Sequence, residues 1–158
     1  MVIVPKILRN VSLTAHPKGC ELSVRNQIDW VRQQLEQHSD TRYQLPHTNF
    51  FPKKVLIVGG STGYGLASRI VAACVGKADT INVSVEREPS ETKTATPGWY
   101  NTTVFERYAK THGLKAVSVL KDAYAKTTKA EVASLIAKHF GTIDLLIYSL
   151  ASPARTDS

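Results

Sequence analysis

The sequence has few of the residues that build small stapled or metal-centred folds: it holds two cysteines and one methionine in 158 residues. Cys20 and Cys74 form no C-x-x-C pair and fit no zinc spacing, so neither a disulfide framework nor a bound metal is expected. No apolar run approaches the ~18 residues of a membrane span. Polar residues interrupt the N-terminus from Lys6 through Asn10, which excludes a signal-peptide pattern. Blocks of five or more like charges are missing, as are recognition motifs for DNA or RNA. The expectation is a reduced, cytoplasmic, soluble protein with no membrane and no nucleic-acid partner.

What is present suits a globular domain. Hydrophobic residues make up 42% of the chain and charged residues 21%. A chain of this size buries ~70% of the surface it exposes when unfolded. Lysine and arginine number 20 against 13 acidic residues, a net charge of +7. The positive residues are scattered (Lys6, Arg9, Lys18, Arg25, Arg32, Lys53, Lys54, Lys77), which reads as a solvated basic surface. Such a surface also attracts nucleotides, CoA or an acidic carrier protein.

Residues Val2 to Leu8 and Val11 to Thr14 read as a short β-ribbon. Gly19 is expected to precede a helix from Glu21 to Gln37, whose apolar positions Leu22, Val24, Ile28, Val31 and Leu35 follow the 3.6-residue period. Residues 38–52 carry prolines and form a connector. From Lys54 onward strands and helices alternate. Strands are expected at Val55 to Val58, Thr80 to Val85, Leu114 to Leu120 and Ile143 to Leu150. The intervening helices are Leu66 to Val75, Trp99 to His112 (ended by Gly113) and Thr127 to Phe140. Such alternation implies a parallel sheet covered on both faces, an α/β, Rossmann-like, doubly wound fold with strand order 3-2-1-4. The expected division is 1–52, an N-terminal ribbon, helix and connector, and 53–158, a nucleotide-binding half.

The strongest chemical signal is Gly59-Gly60-Ser61-Thr62-Gly63-Tyr64-Gly65, directly after the first apolar strand and directly before a helix. Its G-x-x-x-G-x-G spacing is the short-chain dehydrogenase variant of the dinucleotide turn. Glycines let the backbone bend sharply and approach a diphosphate, and the amides opening the next helix offer donors to phosphate oxygens. Glu86 follows Gly65 by about 20 residues, the expected offset of an acid that accepts bonds from the ribose hydroxyls. A carboxylate there favours NADH by repelling a 2′-phosphate, although the neighbouring Arg87 could pair with that phosphate. Asp122-Ala123 and Leu150-Ala151 stand at the ends of the third and fourth strands, where an open parallel sheet forms its ligand crevice. Asp122 is read as an adenine contact or as a turn residue. An S-adenosylmethionine site shares the first turn and the acid, but not this glycine spacing.

Several longer segments then fit one family. Thr14-Ala15-His16-Pro17-Lys18-Gly19-Cys20-Glu21, Gln27-Ile28-Asp29-Trp30, Tyr64-Gly65-Leu66-Ala67-Ser68-Arg69, Gly98-Trp99-Tyr100-Asn101, Asp122-Ala123 and Tyr148-Ser149-Leu150-Ala151-Ser152-Pro153 occur in order. The chain resembles the V-type bacterial enoyl-acyl-carrier-protein reductases and the related trans-2-enoyl-CoA reductases. Departures are Lys121 before the aspartate and Val83-Ser84-Val85 before the acid. The resemblance implies that Gly59, Gly60, Ser61, Thr62, Gly63, Tyr64, Val85, Glu86, Asp122, Ala123, Leu150 and Ala151 contact NADH. It implies reduction of the trans-2 double bond of an enoyl-ACP or enoyl-CoA in fatty-acid synthesis, by an enzyme expected to be monomeric. A tyrosine of the Y-x8-K pair would stabilise the enolate.

That pair is missing. None of the six tyrosines has a lysine at the Y-x8-K spacing, nor at the Y-x3-K spacing of short-chain dehydrogenases. The last strand would also lie at a raw sheet edge. The expectation is therefore a cofactor-binding portion that is catalytically silent alone; the alternative is a non-catalytic dinucleotide-binding or interaction fragment. His16 and Cys20 are read as packing or capping residues in preference to a nucleophilic pair. Trp30, Phe105, Tyr108 and Phe140 are read as core or packing residues, and Tyr148 as structural.

Overall fold

The computed structural model describes residues 6–8, 11–12, 14–37 and 51–150. The outer parts of the expected ribbon, most of the connector and Ala151 lie outside the described residues. Within them, β1 (Ile7–Leu8) and β2 (Val11–Ser12) pair antiparallel, pairing Leu8 with Val11. The first helix, α1, runs from Pro17 to Gln37, so it starts four residues earlier than the apolar pattern indicates. Proline fits the first helical position because its missing N–H needs no partner there. His16 is the cap: its Nδ1 accepts the Gly19 amide at 3.3 Å, and its carbonyl accepts the Cys20 amide at 3.0 Å. Gly19 thus lies inside the first turn and does not precede the helix. The capping reading of His16 holds.

The remaining elements are β3 (Lys54–Val58), α2 (Gly63–Cys74), β4 (Asp79–Val83), α3 (Pro97–Thr111), β5 (Ala116–Val119), α4 (Lys126–His139) and β6 (Leu145–Tyr148). The four strands from β3 onward form one parallel sheet in the order β5-β4-β3-β6, which is the 3-2-1-4 arrangement. Two aspartates fix its amino-terminal edge. Asp144 Oδ2 accepts the amides of Lys53 and Lys54 at 2.8 and 2.9 Å, and Asp79 Oδ1 accepts that of Lys115 at 2.8 Å. Each ties one strand's entry to its neighbour's and so sets the register before the carboxyl ends reach the site.

Both faces are covered unevenly. On one, Val55 and Ile57 pack with Ala78 beneath α2. Helices α1, α2 and α3 meet over Val24, Ile28, Val31, Leu66, Ile70, Phe105 and Ala109. On the other, Val83, Val119 and Val132 pack beneath α4. Phe105 and Phe140 are buried as expected, but Trp30 is 62% exposed and Leu22 is exposed beside it. The buried stripe of α1 is narrower than its apolar pattern because only Val24, Ile28 and Val31 fully face α2 and α3. At the open edge, β6 leaves Leu145, Leu146 and Tyr148 exposed. Among the described residues β6 is an edge strand of the sheet.

Candidate functional site

Every strand of the sheet points its carboxyl end to the same side, and the strand order reverses between β3 and β6. That reversal opens a crevice beyond the ends of β3 and β6. The turn after β3 fills its floor. Gly59 has φ +91, and a Cβ there would lie 2.2 Å from the Ser149 carbonyl oxygen. Only glycine lets β3 bend this close to the residue following β6. A Cβ on Gly65 would stand 2.1 Å from the Gly59 carbonyl, so the third glycine permits α2 to pack on the turn itself. Gly63 has φ +54 and faces open space.

The backbone donors divide in a way the motif alone does not show. Gly59 N donates to the Val83 carbonyl at 2.8 Å, and Gly60 N donates to Asn82 Oδ1 at 2.8 Å. These two glycines therefore supply shape, and their amides are already used inside the protein. Thr62, at the N-cap of α2, makes no side-chain capping bond. The first turn of α2 thus has no side-chain cap, and the amides and dipole of a helix N-terminus favour negative charge there. Thr62, Gly63 and Tyr64 are exposed at this end, Tyr64 by 90%.

Glu86 lies three residues past β4 and turns back to the glycine turn. Its Oε1 accepts the Ser61 hydroxyl at 2.5 Å, and its Oε2 accepts the Thr96 hydroxyl. Thr96 also closes the loop after Glu86: its hydroxyl accepts the Arg87 amide at 3.0 Å, and its own amide donates to the Arg87 carbonyl at 3.0 Å. A Cβ on Gly98 would meet Glu86 Oε1 at 2.0 Å, so the opening of α3 also comes to the acid. Each carboxylate oxygen retains a lone pair for a further donor. Val85 is 69% exposed beside it, and Arg87 is exposed as well.

Asp122 takes part in a local turn, its Oδ1 accepting the Tyr124 amide at 2.9 Å, and it is exposed. Ala123 and Leu150 line a cleft of about 510 Å³ between α4 and β6, together with Val58, Val83, Leu146 and Tyr148. The Tyr124 and Tyr148 hydroxyls meet at 2.9 Å at its mouth. This bond holds the Tyr148 phenol above its ordinary pKa, the opposite of an acid primed to release its proton. Cys20 and Cys74 are free thiols, and burial raises both pKa values, so neither is an activated nucleophile. Among the described residues no cluster of histidine, cysteine or acidic side chains has the makings of a metal site, and no helix is long and apolar enough to cross a membrane.

The structure thus brings Gly59 through Tyr64 together with Glu86, and places Asp122-Ala123 and Leu150 at the ends of the flanking strands. Sequence reasoning missed Asn82, Thr96 and Asn101. Asn101 lay within a quoted segment, yet its contact is visible only in three dimensions: its Nδ2 donates to the Ser61 carbonyl at 3.0 Å.

Comparison with known proteins agrees with this geometry. The profile of the NAD(P)H binding domain of trans-2-enoyl-CoA reductase matches residues 2–91, and that of the trans-2-enoyl-CoA reductase catalytic region matches residues 93–158. An enoyl-[acyl-carrier-protein] reductase [NADH] of Pseudoalteromonas atlantica is 48% identical over 157 residues, covering 99% of this chain and 37% of that protein. A trans-2-enoyl-CoA reductase [NADH] of Ruminiclostridium cellulolyticum is 44% identical, covering 99% and 36%. In solved structures, the Treponema denticola trans-2-enoyl-CoA reductase in complex with NAD superposes with a TM-score of 0.86 at 42% identity, covering 99% of this chain and 38% of that one. The chain spans little more than a third of the length of these relatives. Since the first profile alone takes in more than half of the sequence, and the sheet order and glycine turn agree with it, the chain belongs to the trans-2-enoyl-CoA reductase family.

Proposed function

We propose that this chain binds NADH across the carboxyl ends of β3 and β4, as the cofactor-binding portion of an NADH-dependent enoyl-thioester reductase. The observation that carries this reading is the Ser61–Glu86 bond, which joins a phosphate-type turn to a ribose-type acid at one site. The close approaches at Gly59, Gly65 and Gly98 leave a cradle that any Cβ would fill, which fits a dinucleotide. The α2 amides take the pyrophosphate oxygens, and Glu86 takes the adenosine ribose hydroxyls and rejects a 2′-phosphate. Asp122, Ala123, Val85, Leu150 and Ala151 complete the contacts. When bound, NADH would supply a hydride to the β-carbon of the trans-2-enoyl group of an ACP or CoA thioester, the step that the resemblance implies; the relatives are named NADH-dependent enoyl-ACP and trans-2-enoyl-CoA reductases. The residues of this chain hold the donor; none of its tyrosines has the lysine spacing that the resemblance attaches to enolate stabilisation. We place residues 1–52 as an N-terminal appendage and 53–158 as the nucleotide-binding half, acting in the cytoplasm within fatty-acid synthesis, with a short-chain-dehydrogenase-like turn.

Titration of the chain with NADH, followed by nucleotide fluorescence, tests this reading. Saturable binding that is tighter for NADH than for NADPH is expected, and Glu86→Gln should weaken NADH binding about tenfold and narrow the gap to NADPH. Enoyl-thioester-dependent NADH oxidation by the chain alone should not exceed a no-protein control. Absence of saturable binding, or indifference to Glu86→Gln, overturns the cofactor reading.

A further inference from the structure

Two buried side chains outside the expected site, Asn82 and Asn101, converge on the glycine turn, and a third stands behind them. Asn82, on β4, is fully buried; its Oδ1 accepts the Gly60 amide at 2.8 Å, and its Nδ2 donates to Ser84 Oγ at 3.0 Å. Asn101, on α3, is 9% exposed and donates to the carbonyl of Ser61, the very next residue of the turn. Behind them stands Arg69 of α2, wholly buried. It donates to Thr80 Oγ1 at 3.1 Å, to Ser118 Oγ at 3.0 Å and to the Val117 carbonyl at 3.2 Å, with Phe105 stacked at 4.5 Å. Asn82 Nδ2 reaches the same Ser118 hydroxyl at 3.5 Å. A continuous polar chain therefore runs from α2 through β5 and β4 into the turn.

A tight turn with four glycines has intrinsic backbone freedom, and fixing its residues costs conformational entropy. The Gly60 N–H and the Ser61 C=O belong to neighbouring residues of this segment, and the bonds they make to Asn82 and Asn101 are both buried away from water. We propose that Asn82 and Asn101 are positioning residues that clamp Gly60 and Ser61 so that the α2 amides already stand in their ligand-bound geometry before the pyrophosphate arrives. Asn82 acts as the acceptor half, Asn101 as the donor half, and the Arg69–Ser118 pair holds Asn82 in the rotamer that accepts the Gly60 N–H. Preorganisation of this kind raises affinity by removing an ordering cost and adds no contact with the ligand. The inference rests on the pyrophosphate reading of the turn.

The test compares Asn82→Ala and Asn101→Ala with Ser84→Ala. The last removes a buried bond to Asn82 but leaves the Gly60 amide gripped. Two readouts are taken on each folded variant: NADH and ADP affinity, and hydrogen exchange at the Gly60 amide. Asn82→Ala should speed Gly60 exchange at least tenfold and weaken both ligands about tenfold, while adenosine, which lacks the pyrophosphate, changes less than twofold. Asn101→Ala should weaken NADH and ADP similarly. Ser84→Ala should leave Gly60 exchange and all affinities within twofold. If Asn82→Ala lowers Tm but leaves Gly60 exchange and NADH affinity as in the parent, or if adenosine weakens as much as ADP, the clamp is refuted and the asparagines are merely structural. If the parent chain binds no NADH yet Gly60 exchange responds, the pyrophosphate reading fails while the grip on the turn stands.

Discussion

At the scale of single residues, the glycines of the turn do different work, and substitution separates them. Gly65→Ala drives a methyl group to 2.1 Å from the Gly59 carbonyl, and neither backbone can yield cheaply. It should cost about 3 kcal/mol of stability and abolish NADH binding. Gly63→Ala meets open space, and its penalty is limited to the left-handed backbone at φ +54, about 1 kcal/mol. Urea unfolding of the two variants checks the contrast. The motif shows that glycine is needed here, but not which one faces a carbonyl and which faces solvent, since that depends on how α2 packs back on Gly59 and, for Gly59 itself, on Ser149 far along the chain. A second residue-scale effect lies away from the crevice. Burial raises the Cys74 thiol from its ordinary 9.0, and burial and the 3.3 Å contact with Cys74 raise the Tyr108 phenol. Both groups hold their protons more tightly when folded, so their contribution is intact below pH 9 and is lost as pH climbs above it. The urea midpoint should fall between pH 8 and pH 10.5, and a Cys74→Ala/Tyr108→Phe double variant should show a flatter profile.

At the scale of elements, the repeating strand–helix rhythm was legible because short β-rich runs alternate with helically spaced apolar positions, with Gly113 marking the end of α3. Boundaries moved where an unusual cap or a loop took over. His16 reads as a packing or capping residue and is the cap, but the helix start is drawn from the apolar stripe, and α1 begins four residues before it. Trp30 looked like core by its helical spacing, yet α1 meets its neighbours along a strip too narrow to include it. The fourth strand behaves as its sequence position suggested. With Leu145, Leu146 and Tyr148 exposed along β6, this chain should self-associate as its concentration rises. Sedimentation velocity over a tenfold range should show a concentration-dependent shift for the parent and a weaker one for Leu146→Lys.

At the scale of the whole molecule, the topology could be read from the alternation of elements because right-handed crossovers leave few arrangements for four parallel strands. The candidate site was only half readable. Glu86 and the glycines advertise themselves by residue type and spacing. Asn82, Thr96 and Asn101 do not, because asparagine and threonine are common on any surface and acquire meaning only when a strand, a loop and a helix are brought to the same turn. The basic excess is scattered along the sequence, and a net positive charge of this kind attracts anionic nucleotides diffusely. The contact of Gly59 with the Ser149 carbonyl has a consequence in time. Protein chains are made from the amino end, so the phosphate turn leaves the ribosome long before the residue that bounds it. Until Ser149 docks, Gly59 has no wall to press against, and a nascent chain carrying the whole sequence motif still has an unfinished nucleotide cradle. Competence to hold the dinucleotide should therefore appear only once Ser149 has left the ribosome, and all at once, when β6 closes beside β3.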